Sequence, residues 1–404
     1  MGTRAHAGLL RDDLPYLDLT APGFSTRSDE VRAARAASWC ARTPFGIAVL
    51  QHAQAGKILR DRRLRQGSYD WPRKVGLQGS FAEFWMRSII SQEGDSHRQL
   101  RRVALAALSN DYVLSLSDQF AEIAEQLLVP LRSLESFEFI HAFSEPFAGR
   151  AVTALLALPD ADAASVAEDA STLGLAMGMD AKHYEPRVNA SCDRLMTLAD
   201  VVIDRAESGA DQDSFVARLL RESKTHGTDD RQALKDLIVI SIFGGVDTTR
   251  AQLGFAMALF ADHPDQWTWL RAHPERVPQA IEEIIRTRPT TTWSTREALE
   301  DFDLDGVEVR EGETVHVLVH ATGTDPSVGG DAKFDITADR KVHFGFGGGA
   351  HHCLGQFVAR TDMARALEVL LKNWLEIKLA GAPDYLPDSG NTSPLAMPLA
   401  PVWA

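Results

Sequence analysis

From Arg231 to Asp262 the chain carries no proline. Thr228-Asp229-Asp230 before this run is a strong helix-start signal, and His263-Pro264 ends it. A helix over these 32 residues is about 48 Å long, several times the ordinary length of about 11–12 residues. Its middle, Leu237 to Phe243, is apolar on every side. A helix with no polar face has to cross the interior, so the other elements must pack around it. Directly after that stretch come Gly244-Gly245-Val246-Asp247-Thr248-Thr249. Two glycines inside a helix cost about 1 kcal/mol each relative to alanine, so something should compensate. Thr248 stands four residues after Gly244 on the same face. Its hydroxyl can compete for the Gly244 carbonyl and open the helix locally. The alternative is a close helix crossing allowed by the glycines.

Helical patterns dominate elsewhere. Gly46-Ile-Ala-Val-Leu50 reads as a short strand, followed by a helical run from Gln51 to Leu64. Gln66 to Asp95 reads as a long Gly- and aromatic-rich connection, a kind of loop that usually carries function. Ser96 to Leu128 predicts two helices broken near Ser109-Asn110. Thr153 to Leu220 predicts helix interrupted at Pro159, Gly178 and Pro186, and Pro278 to Thr287 a further helix. Phe302 to Val319 changes to a period near two, with turns at Asp305-Gly306 and Glu311-Gly312, the mark of a hairpin or small meander. A last helix is expected from about Leu354 to Leu371. The fold class is mostly α with small β-sheets. Length alone, 404 residues, would allow two or three domains. No repeat, composition break or linker divides the chain, and a single domain over 1–404 is expected.

Composition narrows the function. With 42 Lys+Arg against 56 Asp+Glu the formal charge is −14, which argues against a general binder of nucleic acid or anionic membrane. No 18 consecutive residues are apolar, and Met1 to Thr20 lacks the apolar core of a signal peptide. His6 stands where myristoylation after Gly2 needs Ser or Thr. A cytoplasmic protein is expected. The three cysteines, Cys40, Cys192 and Cys353, are too few for a disulfide scaffold or a Cys-rich metal module.

One of the three stands in a special context. In Phe344-Gly-Phe-Gly-Gly-Gly-Ala-His-His-Cys-Leu-Gly355, four glycines precede Cys353, one follows it, and a helix begins just beyond. Gly347 and Gly349 permit positive φ and the close approach of a flat ligand. Backbone N–H groups and a helix N-terminus favour the thiolate, making Cys353 a good anionic ligand or nucleophile. Gly-rich turns before helices are common, however, and most free cysteines are packing residues. The spacing carries the argument further.

Phe346, Gly347, Gly349, His351, Cys353 and Gly355 fall in the register Phe-Gly-x-Gly-x-His/Arg-x-Cys-x-Gly. In this the sequence resembles the cytochrome P450 family, whose signature this is. The resemblance implies that Cys353 ligates haem iron as a thiolate, pushing electron density toward the metal. It implies that His351 contacts a propionate and that Phe346 packs beside the sulfur. Glu283-Ile-Ile-Arg286, followed by Pro289, matches the family's structural Glu-x-x-Arg. Gly244, Asp247 and Thr248 match its oxygen groove, with Gly244 where alanine is more usual. His97, Arg101 and Arg296 match its propionate ligands. Gly323-Thr324 stands before Asp325 where Asn-Arg is often found, so a structural ion pair is missing or replaced, and Lys333 to Arg340 matches only loosely.

The implied function is a haem-thiolate monooxygenase that inserts one oxygen atom of O2 into a small to medium apolar compound, aromatic ones included, by hydroxylation, dealkylation or epoxidation. The implied cofactor is haem b. No phosphate-binding or dinucleotide motif is convincing, so electrons are expected from a separate ferredoxin and an NAD(P)H-dependent reductase. Arg60, Arg62, Arg63, Arg98, Arg102 and Arg365 are candidates for the donor's docking face, and a monomer is expected. By motif position the substrate pocket should draw on Trp71, Phe81, Phe84, Trp85, Ile240, Phe243, Thr291, Thr292, Trp293, Leu395 and Ala396. The competing readings are a peroxide-driven haem-thiolate enzyme and a non-enzymatic haem protein that binds a ligand. Retention of Asp247-Thr248 counts against the first, and the absence of a fused output domain against the second.

Overall fold

The computed structural model describes residues 11–178, 180–228, 230–388 and 390–404; the Gly2/His6 reading lies outside them. The central helix runs Arg231–Asp262, the bounds that its caps and prolines set. Asp230 caps it, its carboxylate accepting from the N–H groups of Gln232 and Ala233. The helix links two cores. Leu234, Leu237 and Val246 belong to one, shared with helices Ala163–Gly174, Ala181–Glu207 and Phe215–His226. Leu253, Met257 and Phe260 belong to the other, shared with helices Ser117–Leu131, Val277–Thr287 and Gln356–Asn373. The apolar circumference of the sequence is thus consumed on both sides of one rod.

The β portion is a five-stranded sheet with order Cys40–Thr43, Gly46–Val49, Thr314–Leu318, Trp293–Ala298, Leu64–Gln66. Gly46 pairs with Thr314 in the one parallel step, and Trp293 faces Leu318 across the next antiparallel one. Phe302–Leu304 and Val307–Val309 form the expected hairpin. Asp305 and Gly306 both have positive φ, 49° and 88°, as a two-residue hairpin turn demands. Thr314–Leu318 leaves that hairpin for the larger sheet, which is what keeps the Phe302–Val319 region from being a simple meander.

Three expectations are corrected. Gln66 to Asp95 is not an extended loop: it holds helices Trp71–Lys74 and Ser80–Arg87. Phe81, Phe84 and Trp85 repeat at i, i+3 and i+4, a helical stripe hidden among the surrounding glycines. The run after Gln51 is helical only over His52–Ile58, and Leu64–Gln66 is sheet. Pro186 does not interrupt its helix. It lies six residues into Ala181–Glu207 and forfeits only the bond its N–H would have given the Lys182 carbonyl.

Beneath the sheet, Arg286 and Glu283 pair bidentately at 2.6 and 2.7 Å, both almost wholly buried. Arg286 also donates to the carbonyls of Gly323, Asp331 and Lys333. Glu283 accepts from the Asp335 N–H at 2.9 Å and has the Arg340 guanidinium 3.7 Å away. Thr324, standing where the arginine before Asp325 is often found, is met by a side chain from another helix. Arg35, on helix Asp29–Ala37, donates to the Ala321 carbonyl and to the Thr324 hydroxyl.

Two predictions follow from buried charge. Arg286→Leu strands Glu283 and should lower unfolding free energy by about 3–5 kcal/mol in denaturant titrations. His316 and His320 are buried, which pushes them down to about 4 and about 3. Below pH about 6.5 the unfolded chain takes up protons that these two refuse when folded. Stability should therefore fall with pH between about 6.5 and 4, by up to about 1.4 kcal/mol per pH unit for each. Unfolding of His316→Phe across that window should give a shallower slope; an unchanged slope rules the residue out.

Candidate active site

The turn Phe344–Gly355 is closed by its own backbone. Gly347 N–H donates to Phe344 O at 2.8 Å, Cys353 N–H to Phe346 O at 2.9 Å and His352 N–H to Gly349 O at 3.2 Å. Gly347 and Gly349 sit at φ 69° and 67°. Gly349 has a second reason to lack a side chain: a Cβ there would lie 1.9 Å from the carbonyl oxygen of Leu59. Helix Gln356–Asn373 starts just past Gly355. Burial pushes the Cys353 thiol up, while the Gly355 amide and the Arg101 and Arg360 guanidiniums pull it down. Cys40 and Cys192, driven to about 12 by burial, are packing residues.

Four polar side chains surround this turn. His97 is buried and lies 4.3 Å from His351, ring to ring; burial and that neighbour hold it down to about 4. Arg101 donates to the His352 carbonyl at 2.5 Å. Arg296 donates to Gln66 Oε1 and Thr295 O at 2.9 Å, and burial lowers it to about 10. Among the described residues neither Arg101 nor Arg296 forms an ion pair. One buried cation and one half-buried, neither with a carboxylate partner among the described residues, are the donor set that a dianionic ligand needs. The residues thus fit haem, with Cys353 as the iron ligand and the arginines toward the propionates. His351 instead turns Nε2 to Glu93 Oε1 at 3.0 Å, and Glu93 also accepts from the Gln66 N–H. Glu93 was not singled out from sequence. Its position just before helix Gly94–Ala107 is the only signal it gives. Among the described residues no three His, Cys, Asp or Glu side chains gather as a separate metal site.

The two central glycines divide the roles considered for them. A Cβ on Gly245 would lie 2.8 Å from Val152 Cγ2, so this one permits a close helix crossing. A Cβ on Gly244 would meet nothing within 4 Å, and Gly244 is exposed in the middle of a buried helix. Ile240 and Thr248, one turn to either side, are partly exposed as well. The Thr248 hydroxyl donates to the Gly244 carbonyl at 2.5 Å, the competition expected from their spacing. Asp247 points elsewhere: it pairs with Arg250 at 2.8 Å and lies beside Gly174. Acid and alcohol are adjacent in sequence and separate in contact. Arg250 escaped the sequence reading because an i,i+3 pair on a helix is commonplace.

Several pocket expectations change. Phe81 and Phe84, at 1% and 0% exposure, belong to the core. Phe243 and Trp85 are nearly as buried, and the Trp85 indole donates to Ser68 O at 2.7 Å. Thr292 is not a free polar anchor. Its hydroxyl donates to the Gly390 carbonyl and accepts the Gly390 N–H, pinning the C-terminal turn. Trp71, Ile240, Thr291, Trp293 and Ala396 keep partly exposed surfaces, and Leu395 is exposed. Of the six arginines, Arg63, Arg98 and Arg365 are paired with Asp61, Asp95 and Glu368. Arg60, Arg62 and Arg102 are exposed and, among the described residues, free of ion pairs.

Comparison with known proteins decides the family. Residues 177–384 match the cytochrome P450 family model. The chain is 34% identical over 407 residues to luteothin monooxygenase of Streptomyces thioluteus, covering 99% of each.

The chain belongs to the cytochrome P450 family.

It is also 28% identical to mycinamicin IV hydroxylase/epoxidase of Micromonospora griseorubida over 85% of its own length and 86% of that protein. Among solved structures CalO2 superposes with a TM-score of 0.84 at 26% identity, covering 94% of this chain and 99% of the other. The protein is a cytochrome P450 monooxygenase, an oxidoreductase of haem-thiolate type that uses O2. No helix of the described residues is long and apolar enough to cross a membrane.

Gly349→Ala places a methyl group into the Leu59 carbonyl at a left-handed backbone position. The purified variant should retain less than about a tenth of wild-type haem, since the penalty exceeds the 1.4 kcal/mol that corresponds to a factor of ten. Haem absorbance per chain measures this.

Proposed function

We propose that the chain is a single-domain cytoplasmic monooxygenase acting on a small to medium apolar, aromatic compound of the kind luteothin monooxygenase takes. The observation that carries this is Gly244, exposed within a buried helix, with the Thr248 hydroxyl on its carbonyl. The full-length likeness to luteothin monooxygenase supports the substrate class. Trp71, Trp293 and Ile240 offer partly exposed apolar surface for such a compound, and Thr291 one polar group.

Haem b would be held by Cys353 as the iron ligand with His97, Arg101 and Arg296 for its propionates, and when bound it supplies O2 activation and oxygen transfer to a substrate C–H or C=C bond; His351 is engaged by Glu93 and braces the turn instead. The Thr248 hydroxyl, resting on the Gly244 carbonyl, would hold an exchangeable proton at the open stretch of the helix. Asp247 is tied to Arg250, so its carboxylate reaches the groove only when that pair opens. Opening makes it a gated proton carrier rather than a fixed one. Electrons come from a separate acidic ferredoxin and an NAD(P)H-dependent reductase, with Arg60, Arg62 and Arg102 as the unpaired cations that meet the donor.

Thr248→Ala should keep its haem and its donor-driven NAD(P)H consumption while product formation falls about 100-fold and peroxide rises. Unaltered product yield sinks the role of Thr248. Titrating luteothin and a panel of aromatic lipophiles into the ferric protein should shift its absorbance spectrum. Silence across the aromatic panel, with a response to non-aromatic lipids, overturns the substrate class.

A further inference from the structure

Behind the thiol turn, on the side away from Gly244 in sequence and function, three ionisable side chains meet around one aromatic ring. Glu282 accepts from Arg360 Nε at 2.6 Å and from Nη2 at 3.2 Å, and its Oε2 lies 3.2 Å from His343 Nε2. The Arg360 guanidinium lies over the Phe346 ring, 4.3 Å from its centroid. The His343 imidazole stacks on the same ring at 6.2 Å and 29°. Phe346 is the residue whose carbonyl accepts the Cys353 N–H, so the ring held by Arg360 and His343 belongs to the residue that anchors the sulfur. The other end of His343 is fixed too: Nδ1 accepts the Gly345 N–H at 2.9 Å. An Nδ1 that accepts carries no proton, so the imidazole is the neutral tautomer with its proton on Nε2. Arg360 also donates to Gln356 Oε1 at 2.8 Å, which ties the cluster to the first turn of helix Gln356–Asn373.

The arithmetic of charge is simple. One carboxylate, one guanidinium and one neutral imidazole sum to zero. A single neutral substitution therefore leaves a full charge of known sign behind the sulfur. A cation there favours the state with one more electron, and an anion disfavours it.

We propose that Glu282, His343 and Arg360 are positioning residues that clamp Phe346 behind the Cys353 sulfur and, by their balanced charge, set the one-electron reduction potential of the thiolate-bound haem. The proposal rests on the haem-thiolate reading. It concerns how readily the protein accepts the first electron from its donor; no proton moves in that step and the electron comes from the reductant used.

The test is a redox titration of the haem-loaded protein with dyes and dithionite, alongside the absorbance of the reduced carbon monoxide complex. Glu282→Gln keeps one oxygen acceptor for Arg360 and removes the negative charge, so the ratio of reduced to oxidised haem at a fixed potential should rise about tenfold, a shift of about 59 mV. Arg360→Gln should lower that ratio by a similar factor, and Arg360→Lys should restore it toward wild type. Opposite signs are the signature of charge; a cluster that served only to hold the turn would move both variants in the same direction. Equal direction, or no shift in either, overturns the proposal. Should Arg360→Gln fail to retain haem, Glu282→Gln decides alone, a rise supporting and a fall or no change refuting. A wild-type protein without a thiolate-type carbon monoxide band would instead overturn the haem-thiolate reading itself.

Discussion

The buried pair of Glu283 and Arg286 governs how the rest of the molecule is arranged. Its ions are removed from water, so each must be fully hydrogen-bonded or the pair costs more than it returns. Arg286 meets that demand with three backbone carbonyls, those of Gly323, Asp331 and Lys333, and Glu283 with the Asp335 N–H. These contacts pin the irregular chain that leads from the sheet to the thiol turn. Without them that stretch has few regular hydrogen bonds of its own, and the turn would have no fixed approach. The neighbouring Glu282 points to the other side and serves the turn directly through His343 and Arg360. One helix end thus supports the site twice, by two adjacent carboxylates with different clients.

How much of this was legible in the sequence depends on whether the signal was local. The central helix, its Asp230 cap, the Asp305-Gly306 hairpin and the Thr248–Gly244 contact all rest on residues a few positions apart, and they read correctly. Phe81, Phe84 and Trp85 misled because an aromatic-rich segment among glycines has the composition of a loop and the spacing of a helix. Thr292 misled because its partner, Gly390, lies in the C-terminal turn, and no local pattern announces it. Glu93 and Arg250 were missed for the opposite reason: acidic residues before helices and i,i+3 ion pairs are so common that nothing marks these two. Arg35 shows the hardest case. It reaches Ala321 and Thr324 from a remote helix, a contact that only three dimensions reveal.

The paired glycines of the central helix show how a local weakness is turned to two uses. Gly245 lets the helix carrying Val152 approach closely, and the packing gained there offsets the glycine's lower helical propensity. Gly244 gains no such contact. Its return is an open stretch of helix with a carbonyl already engaged by a hydroxyl, ready to exchange partners. Alanine at this place would narrow that opening by one methyl group, so the substitution of glycine for the more usual residue bears on the size of what fits beside Thr248.

The contact between Gly349 and the Leu59 carbonyl has a bearing on biosynthesis. The turn that presents the sulfur lies near the end of the chain, whereas the backbone it leans on lies near the beginning. A ribosome delivers these two surfaces at widely separated times, and the first must wait, already shaped, for the second. The cofactor's cradle cannot exist on a nascent chain that still lacks its last helix. A group that needs both surfaces is held fully only once the turn has met the Leu59 backbone.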